Sequence, residues 1–157
     1  MAHHIHEYKA RTNWTGAGKG AVEEYKTYSR EYEVAIEGKP LFTGSADPTF
    51  YGDPALHNPE DMLMIALSAC HMLSYLALCA KYNIRVTAYH DDAWGKMEIA
   101  DNKMRFTEVV LKPVVTIDAD SDANKAAELH HEAHAQCFIA SSVNFPVRNE
   151  PEIRVMA

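Results

Sequence analysis

The stretch NPEDMLMIALSACHMLSYLALCAK, residues 58–81, decides the fold of this chain. Asn58 is a favourable N-cap, and Pro59 stands at the first helical position, where a missing N–H costs nothing. Glu60 and Asp61 then place negative charge at the positive end of the helix dipole. After them the stretch contains no Asp, Glu, Lys or Arg until its last residue. The pattern predicts one long helix that is apolar on every side.

A helix of this kind is either the centre of a packed core or a membrane span. Polar side chains such as Ser68, His71 and Ser74 dilute its hydrophobicity, and 24% of the whole chain is charged. We therefore expect a long buried central helix and no membrane association. Because a 157-residue chain with two helices can hardly bury every face of such a helix, we also expect a homodimer that pairs two copies of it.

Composition excludes several classes of protein. A length of 157 residues favours a single domain, residues 1–157. A net charge of −7, with the basic residues scattered, argues against nucleic-acid binding. Three cysteines and an N-terminus without an apolar run indicate the cytoplasm rather than a secreted disulfide scaffold. His3, His4 and His6 are read as a polar chain end, with metal binding or a cloning remnant as the alternatives.

The pattern in the rest of the chain predicts N-terminal strands, the central helix, a β-hairpin, a second helix and a C-terminal strand, in that order. This order indicates an α+β protein. The hairpin comprises a strand bent at Gly95, a turn at residues 101–103 and a returning strand that Pro113 assigns to an edge or a bulge. The turn TGAGKG before residue 21 lacks the spacing of a phosphate-binding loop. The predicted strands are residues 6–14, 21–28, 30–36, 84–99, 105–117 and 152–156, and the second helix is residues 122–140.

Two cysteines are candidates for chemistry. Cys70 lies near the middle of the central helix and Cys137 near the end of the second helix. Two cysteines on separate core helices can meet and cycle between dithiol and disulfide, although free cysteine often only packs. Cys79 is read as packing.

A zinc site is the competing interpretation. His130, His134 and Cys137 have i, i+4, i+7 spacing, which places three zinc-binding residue types on one helix face. His71 is a conceivable fourth ligand. The stretch HHEAHAQC does not match the HExxH pattern of metalloproteases.

Four motifs together resemble the osmotically inducible protein C and organic hydroperoxide resistance (OsmC/Ohr) family. They are WTG at residues 14–16, NPED at 58–61, SAC at 68–70 and CFIASSV at 137–143. They occur in the family's order over nearly the whole chain. In the family the second cysteine is usually followed by proline, whereas this chain has Phe138.

The resemblance implies an OsmC-like α+β fold, an intertwined cytoplasmic homodimer and a thiol peroxidase for oxidative stress defence. Cys70 would attack an organic hydroperoxide and become a sulfenic acid, and Cys137 would capture it as a disulfide. A dithiol, in this family often a lipoyl group on a carrier protein, would reduce the enzyme, and no bound cofactor is implied. Because ten residues of helix span about 15 Å, Glu60 would orient the site of the partner subunit.

The family arginine beside the reactive cysteine is replaced in this chain. Its OsmC-type position falls on Phe50 and Tyr51, and its Ohr-type position falls on Lys19. Tyr51, Lys19 and Arg30 are therefore the candidate substitutes, of which Tyr51 can donate a hydrogen bond to a thiolate or peroxide. A second hypothesis follows: an OsmC-like protein that binds a small apolar or electrophilic molecule without efficient peroxidase activity.

Overall fold

The computed structural model describes residues 5–156, so His3 and His4 lie outside the described residues. The predicted α+β class is confirmed, with two α-helices and three sheets in this range. The elements are β1 (Arg11–Trp14), β2 (Tyr32–Ala35), β3 (Phe42–Gly44), α1 (Pro59–Lys81), β4 (Val86–Asp91), β5 (Trp94–Ala100), β6 (Lys103–Leu111), β7 (Pro113–Ile117), α2 (Ala123–Gln136), β8 (Val147–Asn149) and β9 (Glu152–Val155).

The central helix α1 begins and ends with specific capping groups. The Asn58 side chain accepts a hydrogen bond from the Asp61 N–H at 2.8 Å, and the Asp61 carboxylate accepts one from the Asn58 N–H at 3.2 Å. This reciprocal pair is a capping box. At the other end Asn83 adopts a left-handed φ of 58°, and the Ile84 N–H reaches back to the Cys79 carbonyl at 2.9 Å. The predicted helix start is confirmed, and a Schellman motif ends the helix.

The chain divides into two compact units, Met1–Met62 and Leu63–Ala157, and the prediction of one domain stays a prediction. The first unit contains the antiparallel sheet β1-β2-β3. The predicted strand at residues 21–28 is wrong. This segment forms turns, and its carbonyls at Tyr25 and Tyr28 accept hydrogen bonds from the Arg30 guanidinium rather than from a neighbouring strand. Strand β3 follows the Gly38 turn, where no strand was expected.

In the second unit the two long strands predicted for the hairpin are each divided in two. Sheet β4-β7-β9 and sheet β5-β6-β8 each combine one antiparallel and one parallel pair. The chain changes sheet after Asp91 and again at Lys112, not at Gly95. The Asp91 carboxylate fixes this corner because it accepts a hydrogen bond from the Lys112 N–H at 2.6 Å. Pro113 is accommodated as the first residue of β7.

The hairpin turn itself is confirmed. Strands β5 and β6 pair antiparallel around Asp101 and Asn102, whose φ angles are 53° and 59°. Two successive left-handed residues are the signature of a type I′ turn, which matches the twist of the flanking strands.

Helix α2 ends at Gln136, four residues earlier than expected. Cys137 is its C-cap, with an extended ψ of 108°, and a short 3-10 turn follows at Ala140–Ser142. The Ser141 hydroxyl and N–H both donate to the Cys137 carbonyl at 3.0 Å. The helix ends at Cys137 because the backbone of this residue is extended.

Two apolar clusters form the core of the second unit. The larger joins the end of α1 to α2 and sheet β4-β7-β9, around Tyr75, Ile117 and Leu129. The smaller joins Leu67 of α1 to Leu111 and Val147 of sheet β5-β6-β8. Helix α1 therefore contributes to both clusters.

Helix α1 is not buried on every face of the single chain, as we expected of a chain with only two helices. Five of its residues are buried, among them Leu67 and Tyr75, while Ile65 is 54% exposed and Leu73 is 63% exposed. By length and composition it is one helix that could cross a membrane, a test that core helices of other proteins also pass.

Candidate active site

The thiols of Cys70 and Cys137 come together in the second unit. Helix α1 positions Cys70, which is partly exposed, and the C-cap of α2 positions Cys137, which is 1% exposed. Burial, and then a hydrogen bond with Cys70, raise the pKa of the Cys137 thiol to about 11. Cys137 is therefore a protonated thiol at neutral pH. Cys79 is 1% exposed and lies with Tyr75 in the larger apolar cluster, as expected for a packing residue.

The turn after α2 holds the Cys137 sulfur in place. The Ala140 N–H donates to Sγ at 3.5 Å, and the Cys137 N–H donates to the His134 carbonyl at 3.2 Å. Ile139 and Ala140 pack on the smaller apolar cluster. The two cysteines are therefore held by a helix on one side and a hydrogen-bonded turn on the other.

A pair of buried histidines lies beneath the thiol-bearing segments. His71 Nε2 and His130 Nδ1 are 3.0 Å apart, and the His130 ring stacks on Tyr75 at a centroid distance of 3.9 Å. Burial is the main cause that lowers the pKa of His71 to about 4 and of His130 to about 3. Both rings are therefore neutral at pH 7, and one donates to the other.

In the first unit the predicted residue Glu60 has a buried carboxylate oxygen, Oε2, for which no hydrogen-bond partner is recorded. The Tyr32 hydroxyl is also buried without a recorded hydrogen-bond partner. Burial raises the pKa of Tyr32, and the negative charges of Glu60 and Asp61 raise it further. A buried carboxylate without a partner is costly, so this end of the unit is suited to a donor or a cation from elsewhere.

The three candidate substitutes for the family arginine also lie in the first unit. Lys19 forms an ion pair with Glu31. The Arg30 guanidinium carbon lies 5.3 Å from the centre of the Tyr51 ring and 3.7 Å from that of Tyr28. Tyr51 is 47% exposed, with a left-handed φ of 65°. The structure thus brings Arg30 and Tyr51 together, whereas Lys19 is engaged by a glutamate.

The zinc interpretation gains no support. Within residues 5–156 no group of three or more His, Cys, Asp or Glu side chains is arranged to hold a metal ion. Because Cys137 is outside the regular helix, its i+7 relation to His130 is lost, and His130 Nδ1 is taken by His71.

Sequence reasoning missed two of these contacts. The Arg30 cluster depends on the irregular segment that was read as a strand, and no periodic signal marks it. The His71–His130 pair had a partial signal, because each histidine stands within a helix whose neighbouring positions are apolar.

Comparison with solved structures gives the fold. An OsmC-like protein of unknown function from Vibrio cholerae matches with 32% identity and a TM-score of 0.85, over 94% of this chain and 99% of that chain. An organic hydroperoxide resistance protein from Elizabethkingia anophelis matches with 16% identity and a TM-score of 0.70, over 98% and 99% of the two chains. One from Legionella pneumophila matches with 15% identity and a TM-score of 0.69, over 97% and 99%. These fold matches are consistent with a protein that does not span a membrane.

No curated protein matches the chain closely enough to count as a relative. The family model described as OsmC-like protein matches residues 52–152, which include both cysteines and Glu60. With this match and that to the Vibrio cholerae protein, the chain belongs to the OsmC-like protein family.

Proposed function

We propose that this protein is a two-cysteine thiol peroxidase that reduces organic hydroperoxides, with Cys70 as the peroxidatic and Cys137 as the resolving cysteine. The observation that carries the proposal is that the Cys70 thiol lies close enough to Cys137 to contribute to the raised pKa of the Cys137 thiol. The proposal requires a disulfide between them, for which the two Cα atoms must lie within about 7 Å of each other. Membership of the family, and the names of its solved relatives from Elizabethkingia and Legionella, support this chemistry.

The reaction balances in three steps. The Cys70 thiolate attacks one peroxide oxygen, the O–O bond breaks, and the alkoxide leaves as an alcohol after it takes up a proton. The Cys137 sulfur attacks the Cys70 sulfenic acid, and its proton leaves with the hydroxyl as water. A dithiol, for which a lipoyl group on a carrier protein is the candidate, reduces the disulfide and becomes a cyclic disulfide itself.

The environments of the two thiols support their order of reaction. Cys70 is partly exposed and accessible to a substrate, whereas Cys137 is buried. A thiol with a pKa of about 11 is a poor nucleophile at neutral pH, and it is well suited to donate a hydrogen bond to the attacking sulfur.

An apolar substrate suits the surroundings of Cys70. A groove of about 480 Å³ runs beside α1 at Ser68 and Ala69, the two residues before Cys70. Met64, Ile65 and Met72 of α1 line it, and so do the polar residues His90, Asp91 and Asp92. Burial of an alkyl or aryl group there is favourable by roughly 25 cal/mol per Å². We therefore expect bulky organic hydroperoxides to react faster than hydrogen peroxide.

We further propose a cytoplasmic homodimer in which each subunit completes the site of the other. Exposed Ile65 and Leu73 leave an apolar face of α1 that a second copy of the helix would cover. Glu60 and Tyr51 of one chain would then approach Cys70 of the other. Arg30, whose guanidinium carbon lies 5.3 Å from the centre of the Tyr51 ring, is our candidate for the cation that replaces the family arginine.

The alternative is an OsmC-like protein that binds a small molecule and lacks fast peroxidase chemistry. Two observations favour it: neither Phe50 nor Tyr51 is arginine, and the relative from Vibrio cholerae is described as a protein of unknown function.

Intact mass after one equivalent of cumene hydroperoxide distinguishes the two. We expect the reduced protein to lose about 2 Da within seconds, with the bridge mapped to Cys70 and Cys137. In Cys137→Ser the sulfenic acid should persist and react with dimedone, and Cys79→Ser is the matched control that should behave as wild type. An unchanged mass, or slow oxidation of methionines only, contradicts the peroxidase and leaves the binding protein.

A further inference from the structure

A second pocket, of about 340 Å³, lies against α2 in the second unit, and neither reactive cysteine lines it. Its size is at the lower end of the range for small-molecule sites. Its lining includes Ala127, His130, His131 and His134 of α2 together with Arg148 and Asn149 of β8. We call it the α2 pocket.

The α2 pocket concentrates polar atoms that lack a partner. Among the described residues, seven buried side-chain atoms have no recorded hydrogen-bond partner, and three belong to this lining: His130 Nε2, His134 Nδ1 and Asn149 Oδ1. His130 is 2% exposed, so its unpartnered nitrogen is inaccessible to bulk water. Because an unpaired buried polar group costs about 1–3 kcal/mol, such a concentration indicates a site that a polar ligand completes.

The histidine pair determines what His130 can offer to a ligand. When His71 Nε2–H donates to His130 Nδ1, the outer nitrogen of His130 is an N–H donor. When His130 Nδ1–H donates to His71, the same nitrogen is an acceptor. A ligand that both donates and accepts therefore fits either tautomer. The Asn149 amide has the same property, because it can present its oxygen or its NH₂ group.

Charge argues against an anionic ligand. Arg148 donates to Glu108 through Nε at 2.7 Å and to Glu150 through Nη1 at 3.1 Å. The guanidinium is therefore compensated by two carboxylates. His130 is neutral, since burial lowers its pKa to about 3. A carboxylate in the pocket would therefore meet an arginine whose charge two glutamates already balance.

We propose that the α2 pocket binds a small neutral molecule that carries a primary carboxamide on an apolar body. The amide N–H groups and carbonyl satisfy Asn149 and His130 in any of their orientations, and the apolar body packs on Ala127 and its neighbours. This site is separate from the thiol pair and does not depend on peroxidase activity.

The test is an NMR titration of the reduced protein with benzamide, followed through the His130 ring and Asn149 side-chain resonances. We expect saturable shifts of both. Ala127→Leu should fill the pocket and weaken binding at least tenfold, about 1.4 kcal/mol. Ala135→Leu, on an exposed position of the same helix outside the lining, is the matched control and should bind as wild type.

Benzoate is the discriminating probe because it has the same ring and no donor. Benzoate binding as tight as benzamide binding overturns the proposed ligand class. Shifts that do not saturate, or that persist unchanged in Ala127→Leu, overturn the site. Cys70→Ser should leave the titration unaltered, which separates this result from any failure of the proposed peroxidase.

Discussion

The two units of the chain differ sharply in what they bury. All fifteen buried hydrophobic residues recorded for the described chain lie between residues 63 and 156. In residues 5–62 the buried positions are Gly16, Gly44, Ser45 and Asn58, none of which has a large apolar side chain. The second unit therefore has a core of its own, and the first has a sheet without one.

A three-stranded sheet without an apolar core is not expected to be stable in water. The first unit nevertheless exposes large apolar side chains. Leu41 is 60% exposed, Phe42 is 38% exposed and Phe50 is 41% exposed. Contiguous exposed apolar surface is common at interaction sites. In the proposed homodimer these side chains would be covered by the second subunit. If so, loss of the dimer should affect the first unit more than the second.

The largest effect should come from Leu73→Glu on the exposed face of α1. A glutamate at an apolar helix–helix contact would be desolvated without a partner, so we expect the dimer to dissociate at least 100-fold more readily. Light scattering gives the mass. Hydrogen exchange should show β1–β3 exchanging freely while β6 and α2 remain protected.

Ile99→Glu is the matched control, because Ile99 is 73% exposed on the β5–β6 hairpin. Ile99→Glu should leave the mass in solution and the hydrogen exchange of β1–β3 unchanged. A wild-type protein that is already monomeric, or a Leu73→Glu protein that remains dimeric, would contradict pairing through this helix face.

A second contrast compares two leucines. Leu129 is fully buried in the larger cluster, and Leu129→Ala should reduce the free energy of unfolding by about 2–5 kcal/mol. Leu41 is 60% exposed in the single chain, so Leu41→Ala should cost less than about 0.5 kcal/mol unless a partner covers it. Urea denaturation measures both, and a large loss in Leu41→Ala that depends on protein concentration would place Leu41 at the dimer interface.

The elements that were predicted correctly have strong local signals. Helix α1 is defined by Asn58, Pro59 and an uninterrupted apolar run, and the hairpin turn by Asp101 and Asn102. The divisions at Asp91 and Lys112 were not predictable, because both flanking sequences favour strands and only a tertiary hydrogen bond separates the sheets. The end of α2 was missed for a similar reason.

The candidate site shows the same limit. Cys70 and Cys137 were identified from residue type and motif, and the structure brings their thiols together. The Arg30–Tyr51 contact and the His71–His130 pair were not identified, because each joins residues far apart in sequence. The assignment of Glu60 and Tyr51 to the site stays a prediction.

Acid should destabilise the second unit. The folded-state pKa values of His71 and His130, about 4 and about 3, are below the unfolded value of 6.5. The unfolded chain therefore binds more protons as pH falls below 6.5, and stability present at pH 7 is lost toward pH 4. These depressions correspond to roughly 3 kcal/mol for His71 and roughly 5 kcal/mol for His130.

The two tryptophans make this loss measurable for each unit, because Trp14 is in the first unit and Trp94 in the second. In Trp14→Phe, urea unfolding followed by Trp94 fluorescence should show a steep fall in stability between pH 6.5 and 4. His130→Gln should flatten this dependence even where it lowers stability at pH 7. An equally steep fall in His130→Gln would exclude the histidine pair as its cause.

The smallest expected effect concerns the start of α1, in the first unit. Asn58→Ala removes the acceptor for the Asp61 N–H and should cost about 1 kcal/mol. Asn58→Asp keeps an oxygen at the same place and should retain most of that stability, so the pair separates capping from a general effect of substitution. The measurement is urea unfolding of Trp94→Phe, in which Trp14 reports on the first unit.

Because that unit has no core of its own, one capping box is a larger fraction of its stability than of the second unit's. Equal losses in both variants would show that the reciprocal bond with Asp61 contributes nothing, and that the sheet is held by other contacts.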